Sequence, residues 1–236
     1  MGTEHPDYTL YYWPVPFRGH FIRAILAWAG ADWKEGDFGA GGALVSAEPA
    51  DQPVPFMGLP VLVDHTSGFA VSQMVAIAGY LGEKFALMPE SAEGRALCLK
   101  VAGDANDIID EITLQGGMMM WTAQTWQAFL PELRRWMRIG EDLGRRCGLS
   151  REGGFLLGTS EATIADIITA TLWMTLRERF AAIGELLDEE ASCVAALSWR
   201  MWETPALARF GRETLDQFGD AYCGGQIGKS LRAVAC

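Results

Sequence analysis

Histidine, cysteine and positive charge are all scarce in this chain, and no long apolar run occurs anywhere in it. Its three histidines, His5, His20 and His65, stand far apart with no ligand spacing, so no metal centre is indicated. The five cysteines, Cys98, Cys147, Cys193, Cys223 and Cys236, are odd in number, widely spaced and absent from the first part of the chain. Neither a disulfide framework nor a Cys-x-x-Cys redox pair follows, and a reducing cytoplasm is the expected setting. With 19 Lys and Arg against 30 Asp and Glu, the net charge is −11. No basic patch is left to displace counterions from a phosphate backbone, and aromatic and basic residues do not interleave, which argues against nucleic acid as a partner. No stretch reaches the roughly 18 apolar residues of a membrane span. The opening Met1-Gly2-Thr3-Glu4-His5-Pro6-Asp7 lacks the basic and apolar regions of a signal peptide, so a cytoplasmic protein without a membrane segment is expected.

What the sequence does contain is an ordered set of short elements. Tyr8-Thr9-Leu10-Tyr11-Tyr12-Trp13 is a β-branched and aromatic run stopped by Pro14 and Pro16, which reads as a strand handing over to a loop. Phe17, Phe21, Ile22, Ile25, Leu26 and Ala29 then recur at helical spacing, and Gly30 stands where a helix would stop. Lys34 to Pro55 is rich in glycine and proline with little periodicity, so a weak second strand and a long irregular connection are expected there. Pro60-Val61-Leu62-Val63-Asp64 and Phe69-Ala70-Val71 flank a Gly-containing turn and read as a hairpin. Met74, Ile77, Ala78, Leu81 and Phe85 mark a further helix, ended before Pro89.

From Ser91 onward strand signals vanish and helical periodicity takes over, as in Ile108 and Ile112 and in the long Trp126 to Cys147 segment. Thr163-Ile164-Ala165-Asp166 places a hydroxyl three residues before an acid at the head of an apolar helix, a capping box. The expected fold is an α/β domain over residues 1–89, in the order βαβ-ββα, followed by an all-α domain over residues 90–236.

That order, with Leu59-Pro60 before the third strand and a helix beginning at Gln73, resembles the thioredoxin-like N-terminal domain of cytosolic glutathione S-transferases. The local pattern Tyr8-Thr9, Tyr12, Pro14-Val15, Arg23, Gly30 and Trp33-Lys34-Glu35 is most similar to the tyrosine-type classes, particularly pi. The Thr163-x-x-Asp166 cap is similar to one in the C-terminal domain of that family. The resemblance extends over nearly the whole chain, and it implies glutathione as co-substrate, a small apolar electrophile as the second substrate, and a homodimer.

Residue by residue, the resemblance implies that Tyr12 donates to the glutathione sulfur and so favours the nucleophilic thiolate. From spacing alone, Tyr12 reads more readily as one core aromatic among Tyr8, Tyr11 and Trp13, and the resemblance reverses that; strand alternation sends the competing Tyr11 to the opposite face. Arg18 matches an arginine that helps neutralise the ligand's carboxylates, or else is a solvated charge at a helix end. Pro60 is expected in cis, with Leu59 offering its backbone to the cysteinyl unit; a trans proline beginning an edge strand is the alternative. Gln73 and the amide of Met74 would meet the γ-glutamyl carboxylate at a helix N-terminus. The family has serine at the position of Met74, and a lost charge-assisted hydrogen bond costs on the order of 1.5–3 kcal/mol; Ser72 lies one residue before Gln73. The basic and aromatic residues of the pi-type loop after the second strand have no clear counterpart between Gly36 and Pro55. Asp107 matches an aspartate donated across the dimer toward the ligand's amino group, or belongs to a solvated acidic face. Met118-Met119-Met120-Trp121 would line the electrophile pocket or fill helix-helix core, and the tail from Gly224 would cap that pocket or hang loose. The same site could run addition, halide displacement, ether cleavage, isomerisation or peroxide reduction, and a non-catalytic binding protein on the same fold is the remaining alternative.

Overall fold

In the computed structural model, residues 6–236 are described; His5 and most of the N-terminal stretch read above lie outside them. The first strand, β1 (Tyr8–Tyr11), is followed by α1 (Arg18–Trp28), β2 (Trp33–Glu35), α2 (Phe38–Ser46), a single 3₁₀ turn at Pro49–Asp51, β3 (Val61–Asp64), β4 (Phe69–Ser72) and α3 (Met74–Lys84). The sheet order is β2-β1-β3-β4, with β2 parallel to β1 and the rest antiparallel. The expected order therefore holds with one correction: the connection after β2 is not irregular. Asp37 accepts a hydrogen bond from the amide of Ala40 and starts α2, which Gln52 ties down by donating to the carbonyl of Leu44. The Asp37 cap is the signal for this helix in the sequence, and Gly39, Gly41 and Gly42 within it weaken its helical pattern.

Two readings of the β1 region also resolve. The strand stops at Tyr11 rather than Trp13, because the segment from Trp13 to Val15 turns under the guanidinium of Arg23. Gly30 follows α1 with φ +63°, the left-handed stop that its position suggested.

Beyond residue 90 the described residues form helices only: α4 (Ala92–Ile112), the short turn α5 (Leu114–Gly117), α6 (Ala123–Arg146), α7 (Ile164–Arg179), α8 (Ala181–Glu190), α9 (Ser192–Trp202), α10 (Pro205–Phe218) and α11 (Gly225–Ala235). Helix α7 is buried on every side, as a helix apolar all round must be. Its start is pinned by Asp166, whose carboxylate accepts from the amide and hydroxyl of Thr163 and from the amide of Leu156. Helix α1 packs against α3, α7 and α10, so it carries the position of the sheet into the helical layer. Leu10, Ile22, Ile25, Leu62, Ile77 and Leu81 are fully buried around it, each contributing about 1.5–3 kcal/mol by the apolar surface withdrawn from water.

Candidate functional site

The ladder brings three expected site residues together. Tyr11 pairs with Val61, and Val61 pairs with Ser72, so these residues form one row across three strands. The next residue outward on each strand is Tyr12, Pro60 and Gln73. Antiparallel pairing thus gathers at one end of the sheet three positions that are far apart in sequence.

Tyr11 and Tyr12 are each seated on a glycine, on opposite sides of the strand. The Tyr12 ring lies on the backbone of Gly19, where a Cβ would fall 2.3 Å from its Cδ1, while Tyr11 points away and lies on Gly36. Burial pushes the Tyr12 phenol up to about 12, against the opposing pull of Arg18, Arg23 and the amides of Arg18 and Gly19 at the head of α1. The hydroxyl therefore keeps its proton at neutral pH and is a donor, not a base.

Arg23 holds this geometry from below. It is buried, donates to the carbonyls of Val15 and Trp13 at 2.9 and 3.0 Å, and pairs in fork fashion with Glu35 at 2.5 and 3.2 Å. One guanidinium thus fixes both the turn after Tyr12 and strand β2.

Leu59-Pro60 is a cis peptide, and Leu59 lies outside the ladder, so its backbone is not committed to a neighbouring strand. Gln73 has φ +74°, a conformation strained for a residue with a side chain, and its exposed side chain does not cap α3. The first turn of α3 presents its amides at this end of the sheet. The Met74 side chain turns into the core with 2 % exposure, so only its backbone can serve a ligand.

Arg18 and Asp107 are placed differently from a simple reading of the sequence. Arg18 reaches α4, donating from Nε to Asn106 Oδ1 at 2.9 Å and from Nη2 to Asp110 Oδ1 at 2.5 Å. Asn106 and Asp110 are four apart and share a helix face, whereas Asp107 is rotated off that face and exposed. Asp107 does not join the cluster within this chain.

Above Tyr12 opens a cleft of about 310 Å³, lined by Tyr12, Val15, Phe17, Thr113, Cys223 and Ile227 among others, a size suited to a small ligand. Met118, Met119 and Met120 do not line it; they are exposed, and Trp121 is instead core, donating to the carbonyl of Ile112 at 2.7 Å. The wall that the sequence reading left open comes from the C-terminal segment, where Ile227, Leu231 and Ala235 recur every fourth residue and bury one face of α11. Burial pushes the Cys223 thiol up to about 11, so it is no thiolate at neutral pH. A larger cavity, about 660 Å³, lies at the other end of α1 between Trp28, Phe85, Leu197 and Met201. Tyr12 lines the smaller cleft and none of the gathered residues lines the larger one, so chemistry rather than volume selects the smaller. Among the described residues no cluster of His, Cys, Asp and Glu could hold a metal ion, and no helix is long and apolar enough to cross a membrane.

Residues 97–234, more than half of the chain, match the family model of the glutathione S-transferase C-terminal domain. The "Probable glutathione S-transferase 7" of Caenorhabditis elegans is 28 % identical over 190 residues, covering 77 % of this chain and 84 % of that protein. Among solved structures, a pi-class glutathione S-transferase of Onchocerca volvulus superposes with a TM-score of 0.72 at 17 % identity, covering 89 % of this chain and 94 % of its own. Monomeric Na-GST-3 of the hookworm Necator americanus gives 0.70 at 20 % identity, with 88 % and 97 % covered.

Proposed function

Because the chain belongs to the glutathione S-transferase family, we propose that it conjugates the thiolate of glutathione to a small apolar electrophile, with Tyr12 as the group that stabilises the thiolate. The observation that carries this reading is the meeting of Tyr12, Pro60 and Gln73 at one end of the sheet, with Tyr12 also lining an apolar cleft.

Glutathione is an anionic tripeptide, and the residues fit its parts. The first-turn amides of α3, including that of Met74, face an anion such as the γ-glutamyl carboxylate, with Gln73 beside them. Leu59 offers backbone N–H and C=O to the cysteinyl unit. The sulfur then lies against Tyr12, whose neutral hydroxyl donates to it, stabilising the charged form as its proton leaves to solvent. The sulfur pair forms the new S–C bond with an electrophile held between Phe17, Thr113 and Ile227; a leaving group departs with the pair of the bond it breaks, or, in an addition, the displaced π pair takes up a proton from solvent. Arg18, on the rim, adds positive potential without releasing its α4 partners. Asp107, exposed on α4, is left for a second protomer of a homodimer. In this reading residues 1–89 bind glutathione, residues 90–236 bind the electrophile, and the setting is the cytoplasm.

The test is Tyr12→Phe. One lost hydrogen bond to the sulfur, ~1.4 kcal/mol or more, lowers turnover roughly tenfold or more while glutathione binding barely changes. Unchanged turnover would remove Tyr12 from the chemistry. The thiolate does not choose its electrophile, so glutathione-dependent lyase, dehalogenase, isomerase or peroxidase activity would use the same residues. A non-catalytic binding role is favoured by two observations, the Met74 side chain turned into the core and the Arg18 guanidinium engaged by α4. Calorimetry that detects no glutathione binding would place that second reading ahead of the first.

A further inference from the structure

Next to the Tyr12 cleft lies a small cavity between α1 and α7, lined by Phe17, His20, Phe21, Thr171, Thr175 and Tyr222 among others. Two of these side chains are almost wholly buried and yet have unpaired polar atoms. His20 is 2 % exposed and neither Nδ1 nor Nε2 has a protein partner; Thr175 is 3 % exposed and its Oγ1 has none. Thr171, by contrast, is satisfied by the carbonyl of Ile167 at 2.7 Å. Leaving such groups without partners costs about 1–3 kcal/mol each by general experience, and buried polar groups in folded proteins are paired, often through ordered water.

The cavity that both side chains line has a volume of about 10 Å³, about one water molecule's worth. His20 and Thr175 do not bond each other, whereas a water between them can donate to one and accept from the other. Protonated His20 cannot supply the acceptor, and the site keeps it neutral: burial, with Arg23 and Arg179 nearby, holds the imidazole well below its ordinary range. The ring is further fixed by stacking on Phe210 with centroids 4.7 Å apart.

We infer that a single water molecule binds in this cavity and bridges His20 to Thr175, making His20 a positioning residue for the first turn of α1. The consequence follows from neighbours. His20 follows Gly19, whose backbone carries the Tyr12 ring and whose amide acts on the Tyr12 oxygen. Phe17 lines both the cavity and the cleft, and Tyr222 of the cavity precedes Cys223 of the cleft. A bridge from α7 to this turn therefore fixes the floor on which the Tyr12 hydroxyl stands. That last step rests on the role proposed for Tyr12.

The experiment is a double-mutant cycle with His20→Phe, which keeps the stack on Phe210, and Thr175→Val, which keeps the shape. Thermal midpoints and the pKa of bound glutathione's thiol are measured for all four proteins, with Tyr12→Phe alongside. Each single variant is expected to lower the midpoint by about 2 °C or more. The double variant should fall no further than the worse single one, because it leaves no stranded polar partner. Additive losses would overturn the shared water. Both singles should also raise the thiol pKa in the direction that Tyr12→Phe does. If Tyr12→Phe raises it and neither cavity variant does, the positioning role of His20 is wrong; if Tyr12→Phe does not raise it, the failure belongs to Tyr12. Should His20→Phe not fold, a high-resolution crystal structure of the unaltered protein decides: a water within hydrogen-bonding distance of both side chains supports the bridge, and its absence overturns it.

Discussion

The ring of Tyr12 rests on the bare backbone of Gly19, at a distance that leaves no room for a methyl group: a Cβ at Gly19 would fall 2.3 Å from Cδ1 and 2.4 Å from Cγ of the tyrosine. Gly19→Ala must therefore lift the ring or the helix. Overpacking of this kind costs about 1–3 kcal/mol, and a displacement near 1 Å at a reacting group lowers rate on the order of 100-fold. Chemical denaturation and conjugation rate measured together should show both losses. Gly36→Ala, which crowds Tyr11 instead, is the control: it should destabilise without changing the ionisation of bound glutathione.

Gln73 holds a φ of +74°, which a side chain tolerates only at a cost of about 1–3 kcal/mol. Strain of this size at the head of α3 is consistent with a residue kept for its ligand. Gln73→Gly should raise the thermal midpoint and weaken glutathione binding at the same time, as read by differential scanning and titration calorimetry. A midpoint that falls would show that the backbone there is not strained.

Asp64 closes the β3–β4 turn against α3 and is inaccessible to solvent. Burial alone would raise its pKa, but hydrogen bonds from Lys84, Thr66 and Tyr80, at 2.8, 2.6 and 2.6 Å, hold the carboxyl well below the ordinary carboxylate range. Its folded value is depressed, so below about pH 4 the unfolded chain takes up the proton first. The stabilisation is complete above that range and fades as pH falls toward the folded value. Asp64→Asn should remove this part of the acid dependence and cost about 1.5–3 kcal/mol at neutral pH, because a buried carboxylate that accepts from Lys84, Thr66 and Tyr80 is replaced by a neutral amide. Unfolding measured from pH 7 to pH 2 checks both.

Ile227 stands on α11 with 7 % exposure and faces the cleft above Tyr12. Ile227→Ala should raise KM for a small apolar electrophile severalfold while glutathione affinity and the thiol pKa stay put, because the residue touches only the apolar half of the site. Equal changes in both substrates would place Ile227 in the packing of the whole cleft.

Much of this arrangement is legible in the sequence because local chemistry and tertiary position agree. Gly30 ends α1, and Thr163 with Asp166 starts α7, each for a reason carried by those residues alone, whereas the end of β1 at Tyr11 depends on Arg23 as well as on Pro14 and Pro16. Helix α2 escaped because its glycines erase periodicity, leaving only the Asp37 cap to mark it. The row Tyr11, Val61, Ser72 is a matter of register, which no single segment encodes. The partners of Arg18 and the wall formed by Cys223 and Ile227 depend on how α4 and α11 dock. The exposed Met118 to Met120 show the converse: apolar residues are informative about burial only in a periodic context, and here they fall in the link between helices.

The most direct measurement is the ultraviolet absorbance of the glutathione thiolate, titrated against pH on the unaltered protein and on Tyr12→Phe. The expected result is a bound thiol that ionises about one pH unit or more below free glutathione, with Tyr12→Phe returning it upward by about one unit, the equivalent of one hydrogen bond to the charged sulfur. Identical titrations in the two proteins, or no saturable glutathione signal in either, would contradict the role of Tyr12 as donor to the thiolate.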